Sequence, residues 1–177
     1  MWPPLIIPND PGGVTILKTF ITGITGGQLL EATGVSVSRL LIGFIIAVVL
    51  GLFLGFLIYK SKLVDDTLGF FVSTLQSVPN IVWFPLAILW FGLGVESVLF
   101  IIVLGATLSL TVTSSAAFKS VSPLHIRVAR TMGSSGFHLF RTVILPASIP
   151  QIISGLRVAW ALAWRAVLAG ELLGGSG

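Results

Sequence analysis

The sequence contains no cysteine, and only 9% of its 177 residues are charged. A soluble domain carries about a quarter charged residues, so this chain lacks the polar surface that would cover one. The absence of cysteine excludes a disulfide framework, a thiolate metal site and a cysteine nucleophile. Tyrosine is nearly absent too, with one residue against 12 phenylalanines and 5 tryptophans. A water-soluble enzyme is therefore excluded before any motif is considered.

Sequence signals for chemistry are also missing. There is no Gly-Lys dipeptide and hence no phosphate-binding Walker loop. His125 and His138 have no carboxylate near them in the sequence, which argues against a metal site. A membrane-embedded enzyme would need clustered acidic or histidine side chains in its spans, where only Glu171 is found. We expect no catalytic residue, no cofactor and no metal.

Long uncharged blocks dominate what is present. Apolar residues make up 55% of the chain, and the mean hydropathy is +1.06. A helix needs about 20 apolar residues to cross a bilayer. The pattern predicts an all-α transmembrane helical bundle with about four spans, which are Leu40 to Tyr59, a broken segment within 67–95, Ser97 to Phe118, and about Ala147 to Leu173.

The second of these segments is too long for one simple helix and contains Pro79 and Pro85. A proline inside a helix removes a backbone donor and clashes with the preceding turn. We predict a short helix, a break at 77–80, and a second helix to about Phe91. Such a break survives in a membrane only where protein or water satisfies the freed groups, so Pro79 and Asn80 should line a cavity.

Basic residues predict the orientation. Six of the ten lie at 60–66 and 119–146, whereas the turn 92–96 has none. By the positive-inside rule, the first two stretches face the cytoplasm, while 1–38 forms a periplasmic N-terminal segment. Lys18 and Arg39 do not fit this scheme, although Arg39 can snorkel from a span end. The net charge of +4 thus reflects topology, and we expect no nucleic-acid partner.

A ridge of small residues recurs every fourth position in the first span, at Gly43, Ala47, Gly51 and Gly55. Without side chains between them, two helices can approach closely and gain dispersion contacts. We interpret the ridge as a helix-packing face. A chance spacing in a glycine-rich span is the alternative.

The cytoplasmic stretch 119–146 predicts a helix-turn-helix outside the membrane. Ser122 can cap a helix whose first residue is Pro123, since the missing proline donor has no partner there anyway. Gly133 can supply the turn, and Pro146 is expected to end a second short helix. Helical spacing places three apolar residues on one face, which are Ile126, Ala129 and Met132. An exposed apolar face implies a partner protein or the membrane surface.

This stretch resembles the cytoplasmic signature of the integral membrane subunits of bacterial ABC importers. That signature begins Glu-Ala-Ala, has a glycine four residues after the second alanine, and ends after nine more residues with Ile-x-Leu-Pro. Here Ala129 and Gly133 match the second alanine and the glycine. The ending is matched by Val143, Ile144, Leu145 and Pro146. The opening differs, because Arg127 and Val128 stand in place of Glu and Ala.

Two further stretches, 77–94 and 145–157, look like those of nitrate, sulfonate and taurine permeases. The resemblance implies that 39–177 is an ABC-importer-type transmembrane domain with a coupling loop at about 119–146. Its function would be to form half of the translocation pathway for a small anion such as a sulfonate, taurine or nitrate. Compared with that family, the chain lacks a first and a last span, so we expect both ends to be cuts in a longer chain.

The resemblance also implies partners and a location. These are an ATPase subunit, a periplasmic or lipid-anchored substrate-binding protein, and a second permease subunit in a homodimer. The protein would be a multi-pass component of the bacterial plasma (inner) membrane. The alternative is a channel or structural helix bundle with no ATPase partner, which would leave the apolar helix pair at 124–142 without a use.

Arg165 lies near the middle of the last predicted span, where a charge costs at least about 2.5 kcal/mol. It should therefore face the bundle interior or water, where a guanidinium suits anion oxygens. We assign Arg165 to the translocation path together with Pro79, Asn80 and Glu171. Glu171 is six residues further on, about 9 Å of helical rise, which is too far for a direct pair with Arg165. The alternative is that Arg165 pairs with a residue outside this sequence or lies nearer an interface.

Overall fold

A computed structural model describes residues 27–174. The chain consists of two compact units, 1–38 and 39–177. The packing described below is that within the second unit. The predicted roles of 1–38 as a periplasmic segment and of 39–177 as a transport domain remain predictions. Most of the former, like the last three residues, lies outside the described range.

Every regular element in residues 27–174 is helical. In chain order these are α1 (Gln28–Lys60), α2 (Lys62–Gln76), a 3₁₀ turn (Asn80–Trp83), α3 (Phe84–Phe91), α4 (Val95–Lys119), α5 (Pro123–Thr131), α6 (Gly136–Leu139) and α7 (Leu145–Gly174). Three apolar stretches, Thr33–Lys60, Val95–Lys119 and Gly136–Leu172, are long enough to cross a membrane. The bent pair formed by α2 and the 80–91 segment would make a fourth. The predicted all-α transmembrane bundle with about four spans is confirmed.

The small-residue ridge of α1 packs directly against α4. A Cβ atom added to Gly51 would lie 2.5 Å from Leu110 Cβ, and one added to Gly55 would overlap the Ser114 hydroxyl. The Ser114 hydroxyl donates a hydrogen bond to the Gly51 carbonyl at 3.2 Å. Ala47, one helical turn before Gly51, is fully buried. The interpretation of the ridge as a packing face is confirmed.

Helix α7 approaches another side of α4 in the same way. A Cβ atom on Gly155 would lie 2.5 Å from Thr113 Cγ2, and one on Gly170 would lie 2.5 Å from Val98 Cγ2. The largest buried cluster adds residues of α1 and α3 to this seam, and comprises Leu40, Phe84, Ala87, Ile101, Ile102, Ala163, Ala166 and Val167. Helix α4 is therefore the centre around which the other spans are arranged.

The predicted break at 77–80 is confirmed. Helix α2 and the 80–91 segment meet at an angle of 92°, and Pro79 adopts an extended backbone (φ −55°, ψ 131°) between them. The second limb ends at Phe91, as expected. The Ser97 hydroxyl donates to the carbonyls of Ala87 (3.1 Å) and Gly92 (2.5 Å). This shared bond provides a donor for the Gly92 carbonyl, just beyond the last residue of α3, and ties the end of the bent segment to α4.

The expectation that Pro146 ends the second loop helix is wrong. From Gly136 the chain remains helical to Leu172, with a π-helical turn at Phe140–Ile144 between α6 and α7. A proline in a helix interior clashes with the carbonyl four residues earlier. The wider i to i+5 bonding of a π turn immediately before the proline avoids this clash. Loop and span thus form one helical rod.

The α1–α4 seam predicts the effect of adding one methyl group. Gly55→Ala should lower the free energy of unfolding by about 1–3 kcal/mol, because the new Cβ overlaps Ser114 and the backbones must separate. Gly34→Ala is the matched control, because a Cβ at Gly34 meets no atom within 4 Å. Melting temperatures of the purified full-length variants provide the measurement. Adding Ser114→Gly to Gly55→Ala should restore part of the loss, and equal melting temperatures for the two alanine variants would contradict the seam.

Candidate coupling loop and translocation surface

Helix α5 begins as the sequence predicted. Ser122 has a non-helical backbone, and its hydroxyl accepts a hydrogen bond from the Leu124 amide at 3.3 Å. Pro123 occupies the first helical position. Both features favour a helix start at this point, because capping satisfies an otherwise open donor and proline needs none.

The end of α5 depends on Gly133. This residue has φ +87°, its amide donates to the Arg130 carbonyl at 3.0 Å, and the Ser134 amide donates to the Ala129 carbonyl at 3.0 Å. This pair of bonds is the Schellman motif, which closes a helix with a left-handed residue just after it. The turn predicted at Gly133 is confirmed, and the spacing from Ala129 to Gly133 has a physical reason. The alanine carbonyl and the glycine belong to the same terminating motif.

The expected exposed face at Ile126, Ala129 and Met132 is wrong. Ala129 is only 8% exposed and belongs to a buried cluster with Phe118, Leu139, Ile144 and others. Ile126 packs partly buried against the same cluster, whereas Met132 is 82% exposed. Helix α5 uses this face to pack onto the ends of α4 and α7, and a small residue at 129 permits a close approach. Ala129 therefore supports the loop from inside.

The exposed apolar residues of α5 lie on a different ridge. Leu124, Val128 and Met132 follow one another at intervals of four, with exposed fractions of 65%, 50% and 82%. Phe137, just after the turn, is 70% exposed. We call these four residues the apolar ridge. The sequence shows two apolar stripes on α5, one with this interval of four and one that passes through Ile126 and Ala129. Only the fold shows which of the two stripes is exposed.

Phe140 anchors the loop to the spans. Its ring centroid lies 4.5 Å from that of Phe56 on α1 and 5.3 Å from that of Phe118 on α4. Val143 and Leu145 pack partly buried against the same cluster, while Pro146 is exposed. The sequence pattern did not predict the anchoring contact of Phe140, because no sequence feature marks one phenylalanine among 12.

At the break, Pro79 is exposed and Asn80 is half-buried. The Asn80 side chain lies over Gly105 of α4, where an added Cβ would come within 2.5 Å of the amide nitrogen. Asn80 thus occupies space that a glycine on the central helix leaves open.

Arg165 lies on the side of α7 that faces away from the core of this chain. Its neighbours Ala163, Ala166 and Val167 are buried in the α4 seam, whereas Arg165 itself is exposed. Among the described residues, Arg165 has no ion pair, since the pair found there joins Lys119 to Asp65. Within the described residues 27–174, Arg165 therefore does not face the interior, which was one of the two expected placements. Glu171 is also exposed.

Comparison with known proteins agrees with this architecture. Residues 47–177 match the family described as binding-protein-dependent transport system inner membrane component. The chain is 34% identical over 171 residues to a protein of Methanocaldococcus jannaschii provisionally named an ABC transporter permease. It is 33% identical over 166 residues to one of Bacillus subtilis provisionally named the aliphatic sulfonates transport permease SsuC. The taurine transport system permease protein TauC of Escherichia coli is 29% identical over 172 residues.

These matches cover 96%, 94% and 96% of the chain, and 64%, 60% and 62% of the relatives. The chain therefore spans about three fifths of the length of the curated relatives it matches. The family match covers well over half of the chain, and the spans expected of a membrane permease are present. The chain belongs to the family of inner-membrane components of binding-protein-dependent ABC transport systems, within the group related to sulfonate, taurine and nitrate permeases, and is a multi-pass inner-membrane protein.

Proposed function

We propose that the chain forms half of the translocation pathway of an ATP-driven importer for a small anion, and that a separate ATPase subunit docks on its apolar ridge. The observation that carries the proposal is this ridge, which is exposed on α5, between two of the long apolar stretches, and on the first turn of the rod that begins at Gly136. Its residues are Leu124, Val128, Met132 and Phe137. The chain itself does not catalyse ATP hydrolysis in this scheme. Its function is to change the access of the pathway when the ATPase moves the loop.

The physical argument for a partner is the cost of leaving the ridge in water. Burial of one large aliphatic or aromatic side chain contributes about 1.5–3 kcal/mol. An amphipathic helix with apolar residues at intervals of four is a common way to occupy a groove on another protein. The ridge is also held in a fixed orientation, since α5 is capped at both ends and its opposite face is packed on the core. A preorganised surface loses little entropy on binding.

The anion path in this proposal includes the outward face of α7. A guanidinium at membrane depth needs water, an anion or a carboxylate beside it. Arg165 has no ion-pair partner among the described residues, and its exposed side would meet a second permease subunit, as in a homodimer, across a watery cavity. Its planar fork of donors suits the oxygens of a sulfonate or nitrate. Pro79, Asn80 and Glu171 are proposed to line the same path.

A substrate-binding protein outside the membrane, periplasmic or lipid-anchored, would deliver the anion. The family name supports such a partner, and relatives are named for sulfonates, taurine and nitrate. The competing function is a channel or structural bundle without an ATPase. The apolar ridge disfavours it, because that function gives the ridge nothing to bind.

The first prediction concerns docking. Val128→Asp should leave the permease folded, because Val128 is 50% exposed, and should prevent co-purification of the ATPase, because a carboxylate would be buried without a partner. Substrate-stimulated ATP hydrolysis and uptake should fall together. Ser135→Asp is the control, since it adds the same charge to an exposed helix N-cap where a carboxylate is favoured. Normal ATPase association of Val128→Asp would remove docking from the ridge.

A second prediction separates the shape of the loop from its surface. Gly133→Val forces a β-branched residue to φ +87°, at a cost of about 1–2 kcal/mol, and should tilt or fray the end of α5. Gly133→Asn should be nearly neutral, because asparagine tolerates this conformation. We expect the ratio of transport to ATP hydrolysis to fall with valine and to be retained with asparagine. Equal coupling ratios for both variants would show that the turn geometry is unimportant.

The third prediction concerns Arg165. Arg165→Leu should depress uptake without lowering the melting temperature, because the side chain has no ion-pair partner in the described chain and a leucine is cheaper at membrane depth. Arg165→Lys should retain part of the activity, since the charge remains while the fork is lost. Ligand affinity of the binding protein should not change. A joint loss of yield, melting temperature and transport would instead assign Arg165 to a structural ion pair, and normal uptake would remove it from the path.

A further inference from the structure

A cavity of about 370 Å³ lies between α2 and α4, away from the apolar ridge. Volumes of this size are typical of small-molecule sites. One wall is formed by α2, where Asp65, Gly69 and Ser73 recur every four residues. The other is a face of α4 from Val112 to Lys119. Seven residues of α-helix give the cavity a length of about 10 Å.

The cavity has an apolar interior and an ionic mouth. The cavity is open along one side, where Phe70 is 73% exposed. Its apolar lining consists of Ile58, Phe70, Val112 and Ala116, and Ser73 and Ser115 also border it. At the mouth, the Lys119 ammonium donates to Asp65 Oδ1 at 2.6 Å, and the two side chains remain 43% and 36% exposed. The mouth lies at the end of α1 and α4, where the apolar spans stop at Lys60 and Lys119. This is where lipid headgroups meet a membrane protein.

Two properties of the ion pair make it a receptor for a further charged group. Ion pairs with this degree of exposure contribute little to stability, so separating the two charges costs little. Each partner also has unused capacity, because an ammonium has three donors and a carboxylate about four acceptor sites. A ligand that carries both charges could replace one ion pair by two.

We propose that this cavity binds a phospholipid whose headgroup carries a phosphate and a primary ammonium, namely phosphatidylethanolamine. The phosphate would accept from Lys119, the ammonium would donate to Asp65, and part of an acyl chain would fill the apolar interior. A choline headgroup has no N–H to donate. A purely anionic headgroup would pair with Lys119 but would face the Asp65 carboxylate, so the charge pattern selects the zwitterion with a primary amine.

This site is separate from the proposed transport function. It requires only that the spans lie in a membrane, and it includes neither the apolar ridge nor Arg165, Asn80 and Glu171. Failure of the docking or anion-path experiments would therefore leave it standing. Conversely, absence of lipid binding would not affect the importer proposal.

The experiment is native mass spectrometry of the full-length subunit in detergent. It compares phosphatidylethanolamine, phosphatidylcholine and phosphatidylglycerol with the same acyl chains. We expect at least about tenfold tighter binding of phosphatidylethanolamine, a difference within the range of one or two charge-assisted hydrogen bonds. Equal binding of the choline lipid, or preferred binding of the glycerol lipid, would overturn the proposal.

Substitutions at the mouth and in the wall of the cavity test whether the lipid binds there. Asp65→Asn and Lys119→Gln should each remove the preference for phosphatidylethanolamine, whereas Lys62→Gln, an exposed lysine near the same end that does not line the cavity, should retain it. Ala116→Leu fills the cavity and leaves both charges in place, so it decides the matter even if a charge variant fails to fold. Retained phosphatidylethanolamine preference in Ala116→Leu would overturn the proposal.

Discussion

Close contact between backbones along α4 is the interaction on which the rest of the structure depends. In lipid there is little hydrophobic driving force between helices, because the surrounding chains are as apolar as the side chains. Association therefore depends on dispersion contacts and shape. Glycines at 43, 51 and 55 on α1, and at 155 and 170 on α7, let both helices touch α4 at distances that a methyl group would prevent. Every other element is positioned relative to this central helix.

Backbone polar groups impose the second constraint. In the described chain, hydroxyls on α4 bond back to their own helix, as Thr111 does to Thr107 and Thr113 to Ser109. Such bonds give each hydroxyl a hydrogen-bond acceptor within its own helix, so that it needs no partner on a neighbouring helix. Ser97 and Ser114 are used differently, since they donate to carbonyls at the end of α3 and on α1. The far end of the bent segment, at Gly92, is thereby tied to α4, and α1 is tied to α4 at Gly51.

Patterns that depend on local chemistry were predictable from the sequence. The Pro79 break, the Ser122 cap and the Gly133 turn each follow from what one residue does to its own backbone. The glycine ridge was predictable because small residues that recur at a single period of four are typical of a helix-packing face. The contact face of α5 was not, since Ala129 and Val128 both belong to plausible apolar stripes and the choice depends on distant residues such as Phe118 and Ile144. The prediction that Pro146 ends a helix failed because a π turn lets a helix continue through a proline, and a π turn has no clear sequence signal.

The continuity of the helix through Pro146 has a mechanical consequence. Phe137, at the loop tip, and Arg165, on the span, belong to one rod, and their separation of 28 positions corresponds to roughly 40 Å. In the proposed importer this rod is a lever, and its fulcrum is the aromatic cluster around Phe140, where the π turn lies. A tilt of a few degrees at the loop would be amplified into a displacement of several ångströms at the guanidinium. Force applied at the loop would thus reach Arg165, within the span, by leverage, without any helix having to unfold.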